Sequence, residues 1–269
     1  MINDNASIRP YRVRFQDCDS RGQIHLYRLM DYAQDCDDRN CALFEATAEN
    51  LYDRDACWIL LAQEIRLTGD LPVGDDQILI ESWSMGHEGI RFYRKNRYYR
   101  NRADEAHCFG QAISQWILCS MGSHRPLRPA TVLDMDLFYQ KSDPQGQSSM
   151  KIAPLSPLEN FDGPGQRLTY QVAYGDLDFN QHLHNTHYLR LALDAAVQAI
   201  GLDPSRDSLR IREVHIQFMA ETNYLEKLAI VARQDPEQAG LIRLEGRSGA
   251  GDQPSFLAAM NLEIEPGQD

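Results

Sequence analysis

The sequence predicts an α+β chain in which one unit, an antiparallel sheet wrapped around a long helix, is used twice. Three observations predict it. A strand, loop and helix passage recurs at a fixed spacing, a run of alternating β-rich segments follows each copy, and a polar, turn-rich stretch separates the two. At 269 residues, 43% of them apolar, the chain has enough material for two cores of ordinary size.

The recurring passage is Tyr11-Arg-Val-Arg-Phe-Gln-Asp-Cys-Asp19 and Tyr170-Gln-Val-Ala-Tyr-Gly-Asp-Leu-Asp178. An offset of 159, from Asp19 to Asp178, superimposes the tyrosine, the valine, the aromatic and both aspartates. Each copy is a short alternating strand that runs into an Asp-x-Asp loop and then into a helix. Leu26, Leu29, Met30, Ala33 and Cys36 mark the first helix, and Tyr188, Leu191, Ala192, Ala195, Ala196 and Ala199 mark the second. The second is apolar nearly all round, as a helix enclosed by a sheet should be, and Gly201 is a suitable stop.

Beyond the helices, Gln63 to Leu67 and Ile78-Leu-Ile80 match Val214 to Phe218 and Ala229-Ile-Val231, now at an offset of 151. Further strands are expected at Arg91 to Arg100 and Ala112 to Cys119, then at Leu241 to Gly246 and Phe256 to Ile264. Ser142 to Ser149, Pro154, Pro157 and Gly163-Pro-Gly165 form the linker. The expected organisation is residues 1–141 as one unit, 142–167 as linker and 168–269 as the second unit. A sheet around one buried helix, present twice, is the tandem hotdog arrangement.

Composition narrows the function classes. No basic residue precedes an apolar stretch at the N-terminus, and no apolar run approaches the roughly 20 residues that span a bilayer. A soluble protein that stays in the cytoplasm is therefore expected. The six cysteines all lie in the first half without paired spacings and read as reduced thiols. A net charge of −12 argues against sequence-independent nucleic-acid binding.

Several stretches resemble the acyl-ACP (acyl carrier protein) thioesterase family of plants and bacteria. Ser114-Gln-Trp-Ile-Leu118, Arg125-Pro-Leu-Arg128 and the Gly74-Asp75 turn resemble its first-half motifs. Asp176-Leu-Asp178-Phe-Asn180-Gln-His182-Leu-His-Asn185, then Tyr188, resembles its second-half signature. The resemblance implies hydrolysis of a fatty acyl thioester on acyl carrier protein, or on coenzyme A, without metal or organic cofactor. It also implies functional roles for Asp178, Asn180, His182 and Glu221.

Those residue types suit the chemistry, which needs an activated water, a proton shuttle and donors for an oxyanion. Alternate residues of an extended loop project the same way, so Asp178, Asn180 and His182 can converge. The plainer reading is that the aspartate and asparagine only cap the helix. The first copy keeps Asp19 but has Arg21 and Gln23 at the positions of Asn180 and His182, so if only one half is catalytic it is the second, 168–269, leaving the first, 1–141, to build the acyl pocket or support the interface. Glu221, with Asp70 as its repeat partner, is expected as a buried base of raised pKa. The family often places a cysteine after this glutamate, where this chain has Thr222. That favours water attack over a covalent cysteine, with Asp178 as a second candidate nucleophile.

His182, His184 and His187 also have the H-x-H-x-x-H spacing of binuclear metallohydrolases, though the further ligands of such a site are missing. Arg91, Arg94, Lys95 and Arg97, on a strand that continues to Arg100 and Arg102, form a basic cluster in an acidic protein. They are candidate docking residues for the acidic carrier protein, against the plainer reading of a solvated strand face. A dehydratase acting on 3-hydroxyacyl thioesters and a non-catalytic acyl-binding protein are the alternatives, and pairing into a homodimer is left open.

Overall fold

Alternation of apolar and polar residues lays down the strands of the first unit in the computed structural model, which describes residues 5–143, 152–249 and 253–266. By its internal contacts the chain divides into Met1–Ile152 and Ala153–Asp269. Part of the expected linker, 144–151, lies outside the described residues.

In the first unit β1 (Ser7–Arg12), β2 (Ala56–Leu67), β3 (Gln77–Glu88), β4 (Arg91–Arg100) and β5 (Cys108–Ser120) form an antiparallel sheet in the order β1-β3-β4-β5-β2. Helix α1 (Leu26–Cys41) buries Leu26, Leu29, Met30, Ala33 and Cys36 at helical spacing and packs on β1 and β3. Two short helices escaped the sequence reading. In α2 (Ala48–Tyr52) the Thr47 hydroxyl accepts from the Asn50 amide, and in α3 (Met135–Gln140) Asp134 accepts from the amides of Asp136 and Leu137. Phe138 of α3 meets Phe44 and Phe92 edge-on and extends the core beneath them.

The second unit repeats the plan. Strands β6 (Gln166–Gln171), β7 (Asp207–Phe218), β8 (Lys227–Gln234), β9 (Leu241–Ser248) and β10 (Phe256–Pro266) take the matching order β6-β8-β9-β10-β7. Helix α4 (Asn185–Ile200) packs on β6, β8, β9 and β10 and ends at Gly201, whose φ of 70° closes the last turn. It is not apolar all round, since Asp194 and Gln198 are exposed. Small Ala192, Ala195 and Ala196 let its backbone lie close to the sheet.

Strand register corrects one sequence alignment. Tyr11 lies opposite Ile78 and Tyr170 opposite Leu228, so this part of the repeat runs at an offset of 150, and Ile78 matches Leu228 rather than Ala229. Further upstream the offset of 151 holds. The amides of Thr68 and Gly69 share the Phe109 carbonyl as those of Met219 and Ala220 share that of Ser255. The second copy therefore lacks one residue between Ala220 and Thr222, at Glu221, and Asp70 is not a simple counterpart of that glutamate. Among the described residues no helix is long and apolar enough to cross a membrane.

Candidate active site

The aspartate loop of the second unit is organised by Asp178. Its Oδ1 accepts the backbone N–H groups of Asn180 at 2.8 Å and His182 at 3.2 Å. Its own N–H donates to the His182 carbonyl at 2.8 Å, and the Gln181 N–H donates to the Asp178 carbonyl at 3.0 Å. A carboxylate that gathers successive amides forces a tight turn. The turn needs one left-handed residue, which is Gln181 at φ 68°, where the first copy has Gly22 at φ 80°.

The turn delivers His182 to the segment after β7. Leu183 donates its N–H to the Thr222 carbonyl at 2.9 Å, and His182 bridges to Asn223. This pairing sets His182 Nε2 3.2 Å from Glu221 Oε2. From the helix side, the Tyr188 hydroxyl donates to Thr222 Oγ1 at 2.9 Å and lies 3.4 Å from the Ala220 carbonyl oxygen, so it holds both neighbours of Glu221. The Tyr188 ring meets Phe218 and Phe256 edge-on. Burial, reinforced by the charges of Glu221 and Asp178, pushes its phenol up to about 12 against the hydrogen bonds at Thr222. Tyr188 thus stays a donor at any physiological pH. Sequence reasoning quoted it in the signature without giving it a task, although its helical spacing already turned it toward the core.

One expectation changes here. Glu221 is not buried, because 41% of its side chain is exposed, while His182 beside it is 14% exposed. Thr222 is fully buried with its hydroxyl engaged by Tyr188, so it supports the segment. Asn180 is half-buried, and its side-chain amide makes no hydrogen bond among the described residues.

The other histidines of the triplet turn to different partners. His184 is the N-cap of α4 and bonds Thr186 at 2.7 Å through Nδ1. His187 lies 3.2 Å from Asp176, which also accepts from Tyr170, the Ala173 amide and Arg190. Burial pushes the Asp176 carboxyl up, but those four groups outweigh it and hold it below the ordinary range. Three rings with three separate partners do not make the binuclear metal arrangement that the spacing suggested.

Residues 5–132 match the model of the acyl-ACP thioesterase N-terminal domain, and residues 162–257 match that of the C-terminal domain. The chain belongs to the acyl-ACP thioesterase family. It is a thioester hydrolase whose substrate class is acyl-ACP. Solved structures agree with the fold. An acyl-ACP thioesterase from Bacteroides thetaiotaomicron is 16% identical over 97% of this chain and 98% of its own, with a TM-score of 0.74. The 12:0-ACP thioesterase from Umbellularia californica is 13% identical over 97% and 95%, with a TM-score of 0.78. No curated protein matches the chain in sequence.

The first unit of this thioesterase contains a cavity of about 240 Å³. Phe44, Trp58, Phe92, Trp116 and Phe138 line one part of it, and Asp37, Cys41 and Arg94 line another. Arg94 therefore leaves the docking cluster. It lies on the inward face of β4, 6% exposed, and donates from Nη1 to Asn40 at 2.9 Å and to Ser82 at 2.8 Å. Lys95 and Arg97, on the opposite face, are half-buried over the Trp83 ring at 5.9 and 5.7 Å, and Arg91 is exposed. Arg100 and Arg102 are paired with Asp76 and Asp104.

Proposed function

We propose that this thioesterase cleaves medium- or long-chain acyl-ACP in the cytoplasm, with the thioester opened in the second unit and the acyl chain received by the cavity of the first. The observation that carries the catalytic half is the 3.2 Å contact between His182 and Glu221, held from both sides by the Leu183 to Thr222 and Tyr188 to Thr222 bonds.

In this reading Glu221 removes a proton from water as the water oxygen bonds to the thioester carbon. The carbonyl oxygen becomes an oxyanion and takes the uncommitted amide of Asn180 as donor. The intermediate collapses, the C–S bond breaks, and His182, in contact with Glu221, passes the proton to the departing thiolate. The products are a free fatty acid and the carrier thiol. Exposure of Glu221 suits a base that must meet water, and a bound acyl-phosphopantetheine arm would supply the desolvation that the free site lacks.

Asp178 suits a structural part in this reading, because its Oδ1 already gathers two backbone amides of the loop. Its task is to hold the loop. Arg91, Lys95 and Arg97 remain as the docking surface for the acidic carrier. The test is a hydrolysis panel of acyl-ACP and acyl-CoA over chain length for the wild type and Glu221→Gln. The expected result is carrier preference with an optimum chain length in the wild type, and collapse of turnover without loss of fold in the variant. Near-normal turnover by the variant removes Glu221 from the mechanism.

A further inference from the structure

A cavity that receives only a hydrocarbon chain is best lined by apolar side chains throughout, and this largely apolar one also has Asp37, Asp38 and Arg94 in its lining. Its Asp37 and Arg94 belong to a buried polar relay. The Ser82 hydroxyl donates to Asp37 Oδ1 at 2.7 Å and accepts from Arg94, and Asn96 donates to the same carboxylate oxygen at 2.6 Å. Arg94 Nη2 also donates to Cys41 Sγ at 3.0 Å. A guanidinium has five N–H donors. Two from Nη1 and one from Nη2 are used here. The Nε–H and the second Nη2–H have no acceptor among the described residues, and Arg94 lines the cavity.

The electrostatic balance points the same way. Burial pushes the Asp37 carboxyl up, and Arg94, Ser82 and Asn96 offset this only in part. Against the cost of burial the guanidinium stays charged, with Cys41, Asp37 and Asp38 favouring its cationic form. Buried donors without a protein acceptor are in general satisfied by water. A saturated chain that enters expels that water and returns nothing, leaving buried donors unmade. A chain with an oxygen atom at the right carbon replaces the water.

We infer that Arg94, held by the Asp37, Ser82 and Asn40 relay, is a specificity-determining residue that favours acyl chains bearing a hydroxyl or oxo group over saturated chains of equal length. This rests on the reading that the acyl chain occupies the first-unit cavity, and the experiment separates the two.

Trp58 and Trp116 line the cavity and supply a binding signal independent of turnover. Tryptophan quenching of the whole chain is titrated with free fatty acids of one length, saturated or carrying one hydroxyl at each of several positions. At least one hydroxy isomer is expected to bind about tenfold tighter than the saturated acid, the gain of one charge-assisted hydrogen bond. In the Asp37→Asn, Arg94→Met double variant the preference should vanish or reverse. Asparagine still offers Ser82 and Asn96 an oxygen, and the buried charge pair leaves together, so folding is checked by its melting curve. The same preference is expected in kcat/KM for the matching acyl-ACP substrates. If acids quench but no hydroxy isomer binds better than the saturated acid in the wild type, the inference is overturned and the cavity reading stands. If no fatty acid of any kind alters the fluorescence, both fall.

Discussion

The two aspartate loops of this chain share a backbone and differ in their side chains. Asp19 accepts the amides of Arg21 and Gln23 at 2.9 Å each, as Asp178 accepts those of Asn180 and His182. The Asp19 and Asp178 amides both return to the residue four ahead at 2.8 Å. Both loops rest on a buried aspartate, Asp17 in one and Asp176 in the other, each held by a tyrosine and an arginine. The aspartates are therefore architecture that either copy needs. What distinguishes the second copy is an imidazole in place of an amide and a carboxylate at the point where the chain is one residue shorter. Duplication supplied the scaffold, and these two changes, with Asn180 in place of Arg21, account for the proposed chemistry.

The sharpest way to break this comparison is to remove the residues that differ. His182→Ala or Glu221→Gln should lower kcat/KM by roughly 100- to 10,000-fold, the usual contribution of a positioned acid or base, with the melting temperature nearly unchanged. Gln23→Ala, at the same place in the first copy, should leave turnover intact. Equal losses in both halves would show that the loops act together.

Acid stability is the next largest difference. His215 on β7 is held at about 4 by burial, whereas the matching position of the first copy is Glu64. Its ordinary value is 6.5, so the unfolded chain takes up a proton near that pH while the folded chain resists until about 4. Stability present above pH 6.5 is therefore lost as pH falls toward 4, by up to about 3 kcal/mol. Denaturant melts between those pH values should show the loss, and His215→Gln should flatten it.

Tyr188→Phe sharpens the comparison by cutting the strut that only the second copy has, since Leu29 occupies the equivalent place. It should cost about 1–2 kcal/mol, because the Thr222 hydroxyl is left buried without its donor. Turnover should fall with it as Glu221 loses its fixed position. An unchanged melting curve would show that Thr222 does not depend on the tyrosine.

Asp178→Asn and Asp19→Asn should behave alike in stability, each losing about 1 kcal/mol as a charged acceptor becomes a neutral one. The Asp178 variant should retain most of its turnover. Its complete inactivation would instead mark Asp178 as the nucleophile. The smallest expected effect is on docking. Lys95→Glu with Arg97→Glu should lower kcat/KM for acyl-ACP several-fold at low salt and leave a carrier-free thioester unaffected. No change with acyl-ACP would return this strand face to solvent.

The parts of this account that sequence could carry are local ones. Tyr11 to Asp19 and Tyr170 to Asp178 announce the repeat because a turn that needs an aspartate at one end and a helix beyond it leaves a short, ordered signature. Register is different. A residue lost at Glu221 is invisible until Tyr170 is seen opposite Leu228 rather than Ala229, because a one-residue slip in a loop leaves both flanking patterns intact. Arg94 shows the opposite failure. Strand alternation separates it from Arg91, Lys95 and Arg97, but a cluster of cations in one stretch suggests a surface, and only the partners waiting on α1 and β3 explain an inward arginine. Glu221 was expected to be buried because a base with a raised pKa calls for it, whereas the loop carrying it is only partly covered.

The most direct test of the central claim is a double-mutant cycle on kcat/KM for acyl-ACP hydrolysis with His182→Ala, Glu221→Gln and the pair. If the two side chains act as one unit across their 3.2 Å contact, the double variant should be no slower than the worse single. Losses that multiply, or near-normal turnover in either single variant, would contradict the account.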